Sequence, residues 1–90
     1  LDPGQDYLAP RNELEARIAA IWEGLLRRER VGVHDSFFDL GGNSLLATRL
    51  ATRLAATLQV QAGVRTVFEH RTVAAQAAHF TQATKTHQAH

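Results

Sequence analysis

The sequence predicts an all-α fold of three main helices and one short helix. Apolar residues recur at helical spacing within residues 12–28 and 44–58. Asn12, Ser44 and Thr72 stand where a helix N-terminus wants an oxygen acceptor. No segment alternates apolar and polar residues with the period of a strand.

Residues 1–11 read as an N-terminal linker. Pro3-Gly4 is a turn signal, and Pro10 keeps Ala9 out of helical conformation. Asn12 opens the first helix, with Glu15 at the capping-box position. Leu14, Ile18, Ile21 and Leu25 fall within about 60° of one another on the helix wheel, flanked by Trp22 and Leu26. The helix is expected to end near Arg28 or Glu29. Residues 30–43 form a long connection, too apolar at Val31, Val33, Phe37, Phe38 and Leu40 to be free. Those side chains are expected to pin the loop, with a short helical turn starting at Asp35 or Ser36. Gly41-Gly42 ends the loop, because glycine permits positive φ and a sharp bend.

The second helix is expected from Ser44 to Thr57 or Leu58. Ala47, Leu50, Ala51, Leu54 and Leu58 form its core side, flanked by Leu46. A short helix follows around Arg65–His70. Thr72 caps a fourth helix, with Val73, Ala77 and Phe80 on one face. From Thr81 the periodicity stops. The folded domain is therefore placed at 12–81, and 82–90 as a C-terminal linker or disordered tail.

A chain of 90 residues holds one small domain, and a deep active site would leave it little core. Ten Lys and Arg residues face nine Asp and Glu. No basic stripe marks a nucleic-acid interface, and no apolar run approaches the ~20 residues that span a bilayer. No signal peptide is visible. The expected location is the cytoplasm, and the expected state of the isolated domain a monomer. With no cysteine, disulfides, zinc thiolates and a cysteine nucleophile are excluded, and any working thiol must be imported. With no methionine, Leu1 is not expected to be a start residue, and the chain is expected to be a piece of a longer one or a trimmed one.

The informative stretch is GVHDSFFDLGGNSLLATRL, residues 32–50. A flexible glycine pair delivers Ser44 to the first turn of a helix, where its hydroxyl stays open. Free N–H groups and the helix dipole there favour an anion by only ~0.3–1 kcal/mol. That is enough to orient a phosphate but not to hold a mobile ligand, so attachment would have to be covalent. Ser44 as a plain helix cap is the competing reading. Leu45 points away from the core stripe, on the side of Arg49, Thr52 and Ala56. It is either a partner-facing residue or one of the single exposed leucines that need no explanation.

This segment resembles the core motif of peptidyl carrier proteins, the thiolation domains of non-ribosomal peptide synthetases. Asp35, Phe37-Phe38, Leu40-Gly41-Gly42, Ser44 and Leu45 carry the resemblance. It extends to Tyr7, Pro10, Glu13, Leu14 and Glu15 before, and to Val67-Phe68-Glu69 and Thr72-Val73 after, covering about residues 7–80. The resemblance implies a four-helix carrier bundle without catalysis of its own. It implies 4'-phosphopantetheine on Ser44, moved there from coenzyme A by a phosphopantetheinyl transferase with Mg²⁺, with Gly42 and Asn43 as further cofactor-binding residues. It implies aminoacyl or peptidyl cargo held as a thioester and passed among adenylation, condensation and other synthetase domains. Leu45, Arg49 and Thr52 would then be the docking surface. Two departures stand out. Arg71 replaces the family's usual proline, and Ala62-Gly63 an expected leucine or proline context.

Other readings are weaker. A hydrolase elbow needs glycine two residues after the serine, and Leu46 is there. His34 and Asp35 are adjacent and project apart, so no metal site is expected. His79, His87 and His90 are expected at the solvated surface. A fatty-acid or polyketide acyl carrier would be acidic and carry Asp before the serine. An unmodified helical interaction module is the remaining alternative.

Overall fold

The computed structural model describes residues 7–88, with side chains to Gln82. Its helices are α1 (Glu13–Leu26), α2 (Ser44–Leu58), α3 (Val64–Glu69) and α4 (Val73–Gln88). Among the described residues the sole β-type pairing is one bridge between Ser36 and Thr72. α1 packs on α2 and α4, and α2 packs on α3.

α1 starts as the sequence implies, with Asn12 Oδ1 accepting the Glu15 N–H at 2.8 Å. The capping box is not completed. Glu15 turns its carboxylate to Arg11, taking the Arg11 backbone N–H at 2.8 Å and its guanidinium at 3.1 and 2.8 Å. The Arg11 hydrogen bonds hold the Glu15 carboxyl below the usual carboxylate range, against the upward push of burial. α1 ends at Leu26, slightly earlier than expected, because Arg27 adopts the left-handed conformation (φ 57°) and closes it.

The core gathers Ile18, Ile21 and Trp22 of α1 with Leu50 and Leu54 of α2, Val67 of α3, and Val73 and Phe80 of α4. The expected α1 stripe is shifted. Trp22 is fully buried, whereas Leu14 and Leu25 are only half-buried. Gln76 explains part of this. It is buried on α4, accepts the Trp22 indole N–H at 3.1 Å and donates to the His70 carbonyl at 2.9 Å. A buried amide with both ends bonded costs little and fixes the relation of α1, α3 and α4.

The 30–43 connection is anchored as expected. Val31, Val33 and Phe37 are fully buried, and Phe38 and Leu40 pack against the core. The Trp22 and Phe37 rings meet edge to face, centroids 5.1 Å apart. Phe38 stacks flat on Phe68 of α3 at 5.1 Å. Asp35 folds back to accept the Gly32 N–H at 2.9 Å. The helical turn begins at Ser36, whose carbonyl accepts the Leu40 N–H at 3.1 Å. The loop is also bonded to the turn before α4 through Phe37 N–H to Arg71 O, and to α4 itself through Ala74 N–H to Val33 O, both at 2.9 Å. Arg71 thus does what its backbone carbonyl allows despite replacing proline, and its Nε donates to Phe68 O at 3.1 Å. Gly63, the other departure, is the N-cap of α3.

Three expectations need correction. The linker assigned to residues 1–11 is packed on the domain from Tyr7 onward. The Val33 N–H donates to Leu8 O at 2.9 Å, and the Arg30 guanidinium lies 4.3 Å from the Tyr7 ring centroid. Only a chain lying against residues 30–33 makes such contacts, and the sequence does not display that pairing. The assignment over residues 1–6 lies outside the described residues. Secondly, α4 does not stop near Thr81 but continues to Gln88. Alanine, glutamine and lysine favour helix without an apolar stripe, and no glycine or proline interrupts them. Thirdly, His79 is half-buried. It stacks on His70 with centroids 4.4 Å apart and meets Phe80 edge-on. The His87 side chain and His90 lie outside the described residues.

Candidate functional site

Two glycines, an asparagine and a serine join the loop to α2. Gly41 has φ 109°, a conformation that L side chains avoid. Gly42 is required for a different reason. A Cβ there would run into the Phe37 ring and lie 2.7 Å from the Phe37 carbonyl oxygen. The Gly42 N–H donates to that same oxygen at 3.0 Å. A buried phenylalanine therefore sets the path of the backbone two residues before Ser44.

Asn43 is the N-cap of α2, and its Oδ1 accepts the Leu46 N–H at 2.9 Å. Ser44 is consequently the first helical residue and not the cap. It is exposed, and its side chain makes no hydrogen bond among the described residues. The cap reading of Ser44 is thereby displaced by its neighbour. A hydroxyl in this position is open to chemistry brought by another protein, and the first turn of α2 offers free N–H groups to an attached phosphate.

Leu45 is 63% exposed, facing away from the buried Ala47, Leu50, Ala51 and Leu54. Arg49 and Thr52 are exposed on the same helix. Thr52 donates its hydroxyl to Thr48 O at 3.1 Å, and Thr48 donates to Ser44 O at 3.0 Å. α2 contains no acidic residue, and Arg49 forms no ion pair among the described residues. Phe68 (40% exposed) and Val64 add apolar surface on α3, the helix packed against α2. The sequence does not single out these α3 residues as surface, because a six-residue helix is too short for a clear periodic face.

No group of three or more potential metal ligands occurs among the described residues, and His34 with Asp35 forms none. No helix there is long and apolar enough to cross a membrane.

Residues 16–80 match the family model described as "Phosphopantetheine attachment site". The chain is similar to part of a linear gramicidin synthase protein of Brevibacillus parabrevis, 54% identical over 68 residues, which are 76% of this chain and 1% of that protein. It is 45% identical over 83 residues, 92% of this chain, to 1% of tyrocidine synthase 3 of the same organism. The chain thus spans about a hundredth of these relatives' length. Among solved structures it resembles the peptidyl carrier protein in the complex of the phosphopantetheine transferase Sfp with coenzyme A. The TM-score is 0.80 at 33% identity, covering 84% of this chain and 99% of that one. It also resembles part of holo-AB3403, a four-domain nonribosomal peptide synthetase bound to AMP and glycine. There the TM-score is 0.83 at 35% identity, covering 86% of this chain and 6% of that one.

Proposed function

The chain belongs to the phosphopantetheine attachment family as a peptidyl carrier, or thiolation, domain, and from this we propose that Ser44 is the residue that bears the arm. The domain is a phosphopantetheine-bearing carrier for peptide biosynthesis, and the family is non-catalytic. One observation carries the assignment to Ser44. Its hydroxyl is exposed at the start of α2 and relieved of capping duty by Asn43. Asn43 and Gly42 act on the backbone, the first by capping α2 and the second by letting the chain pass Phe37.

The residues fit the group. The Ser44 oxygen would hold the arm through a new bond to phosphorus, its proton passing to a base of the transferase while the pyrophosphate P–O bond of coenzyme A breaks and the nucleotide leaves. The first-turn N–H groups of α2 not taken by Asn43 would favour the negative charge of the phosphodiester. When bound, the arm supplies the thiol that this cysteine-free chain lacks, and cargo rides on it as a thioester.

The partners of the proposal are a phosphopantetheinyl transferase and the adenylation and condensation domains of a synthetase. Leu45, Arg49 and Thr52 form the grip. Leu45 offers apolar area beside the serine, and Arg49 a charge for an acidic partner group. The proposal takes the folded unit to be a monomer of the cytoplasm.

Incubation with coenzyme A and a broad-specificity transferase, followed by intact mass measurement, tests the site. The expected result is a gain of one phosphopantetheine, lost in Ser44→Ala. Continued modification of that variant at any residue would overturn the assignment.

A further inference from the structure

We propose that Arg28 is a positioning residue for the modification of Ser44, acting through the backbone carbonyl of Leu40. This rests on reading Ser44 as the attachment site. α1 closes on the left-handed Arg27, and the Arg28 N–H turns back to Glu23 O at 3.1 Å. Arg28 is thereby carried off the helix, and its Nε donates to Leu40 O at 3.1 Å.

That carbonyl has no other partner among the described residues. The turn it ends is bonded through Leu40 N–H to Ser36 O, Gly41 N–H to Phe38 O and Gly42 N–H to Phe37 O. None of these bonds reaches Leu40 O. The orientation of the Leu40–Gly41 peptide determines φ of Gly41, because rotating that plane swings the carbonyl and the Gly41 N–H together. Gly41 holds φ 109° with nothing within 4 Å of where a Cβ would stand. No packing at position 41 secures this peptide, although the Leu40 side chain packs against the core. Hydrogen bonds do, and the one to Arg28 is charge-assisted. Three residues further on stands Ser44, so a rotation at Gly41 re-aims the attachment serine.

Arg28 is exposed and forms no ion pair among the described residues. Its removal should leave the core intact while loosening the approach to α2. Misplacing a reacting group by a fraction of an ångström to an ångström lowers the rate of the chemical step.

The test compares the wild-type chain with Arg28→Ala and Arg28→Lys. Amide hydrogen exchange is measured on the free proteins, and kcat and KM on a transferase with coenzyme A. In Arg28→Ala, exchange at Gly41 and Gly42 should rise several-fold while helix amides stay native. In the same variant kcat for Ser44 should fall by about three- to tenfold. Arg28→Lys, which keeps a charged donor, should recover part of both. A rise in KM alone, with native exchange, would overturn the proposal by making Arg28 a direct contact of the transferase. So would loosened exchange with native kcat, or native behaviour in both. A wild-type chain modified elsewhere than Ser44 would overturn the reading of Ser44 itself, and the proposal with it. The exchange data, taken without transferase, separate that failure from the others.

Discussion

The side-chain oxygen of Asn43 accepts the backbone N–H of Leu46 at 2.9 Å, so α2 is capped by the residue before Ser44. The capping duty and the proposed attachment fall on adjacent residues. Asn43→Ala should therefore destabilise the domain by ~0.5–2 kcal/mol. Ser44→Ala should abolish modification with a smaller loss of stability. Thermal melts of both variants check this, and a Ser44→Ala loss as large as that of Asn43→Ala would return the cap to the serine.

Phe37 is the second point of leverage. It is fully buried, meets Trp22 edge to face and carries the Gly42 backbone against its ring. Phe37→Ala should cost ~3–5 kcal/mol, measured by urea unfolding. Phe38→Ala should cost less, because Phe38 is half-buried and stacks on the exposed Phe68. Near-native stability of Phe37→Ala would mean that the loop is held by other contacts.

Leu45→Ala and Arg49→Glu should both fold normally, since neither side chain is in the core. Both should slow modification or loading. Truncating an interface anchor often costs ~2 kcal/mol, some thirtyfold in affinity. Arg49→Glu should also alter the salt dependence of docking. Native rates for both would move the grip to the loop before Ser44 or to α3.

Glu15 gives stability a pH dependence. Its folded-state pKa lies below the unfolded value of about 4.3, chiefly through the Arg11 hydrogen bonds. The contribution is complete above the unfolded value and is lost as pH falls through the folded one. Denaturant titrations at pH 7 and near pH 3 should show a loss on acidification that shrinks in Glu15→Gln. Equal losses in the two proteins would place the acid sensitivity elsewhere.

Arg27 closes α1 with φ 57°, where a side chain is strained and glycine is not. Arg27→Gly should raise the melting temperature modestly, by relief of about 1 kcal/mol. A clear drop would show that the Arg27 side chain holds something worth more than the strain.

The periods of α1 and α2, the outward face of Leu45 and the exposure of Ser44 are all legible in sequence. Each depends on spacing along one helix, and a helix repeats itself at a known angle. The same holds for Thr72, which accepts the Ala75 N–H at 3.0 Å as a cap should. The anchoring of Val31, Val33 and Phe37 is legible too, because so apolar a loop has nowhere else to go. What the tertiary structure alone decided involves groups distant in the chain or a choice between equivalent partners. Glu15 took the Arg11 N–H along with its guanidinium, where a capping box would have given it the Asn12 N–H. Trp22 became central because Gln76, fifty-four residues later, met its indole N–H. His70 and His79 stack, and Tyr7 lies under Arg30, only because the fold brings their segments together. Hydrophobic spacing specifies which side of a helix is buried, but it carries no record of which polar atom across the core will satisfy a buried one. That choice is made by distance and angle once the helices have packed.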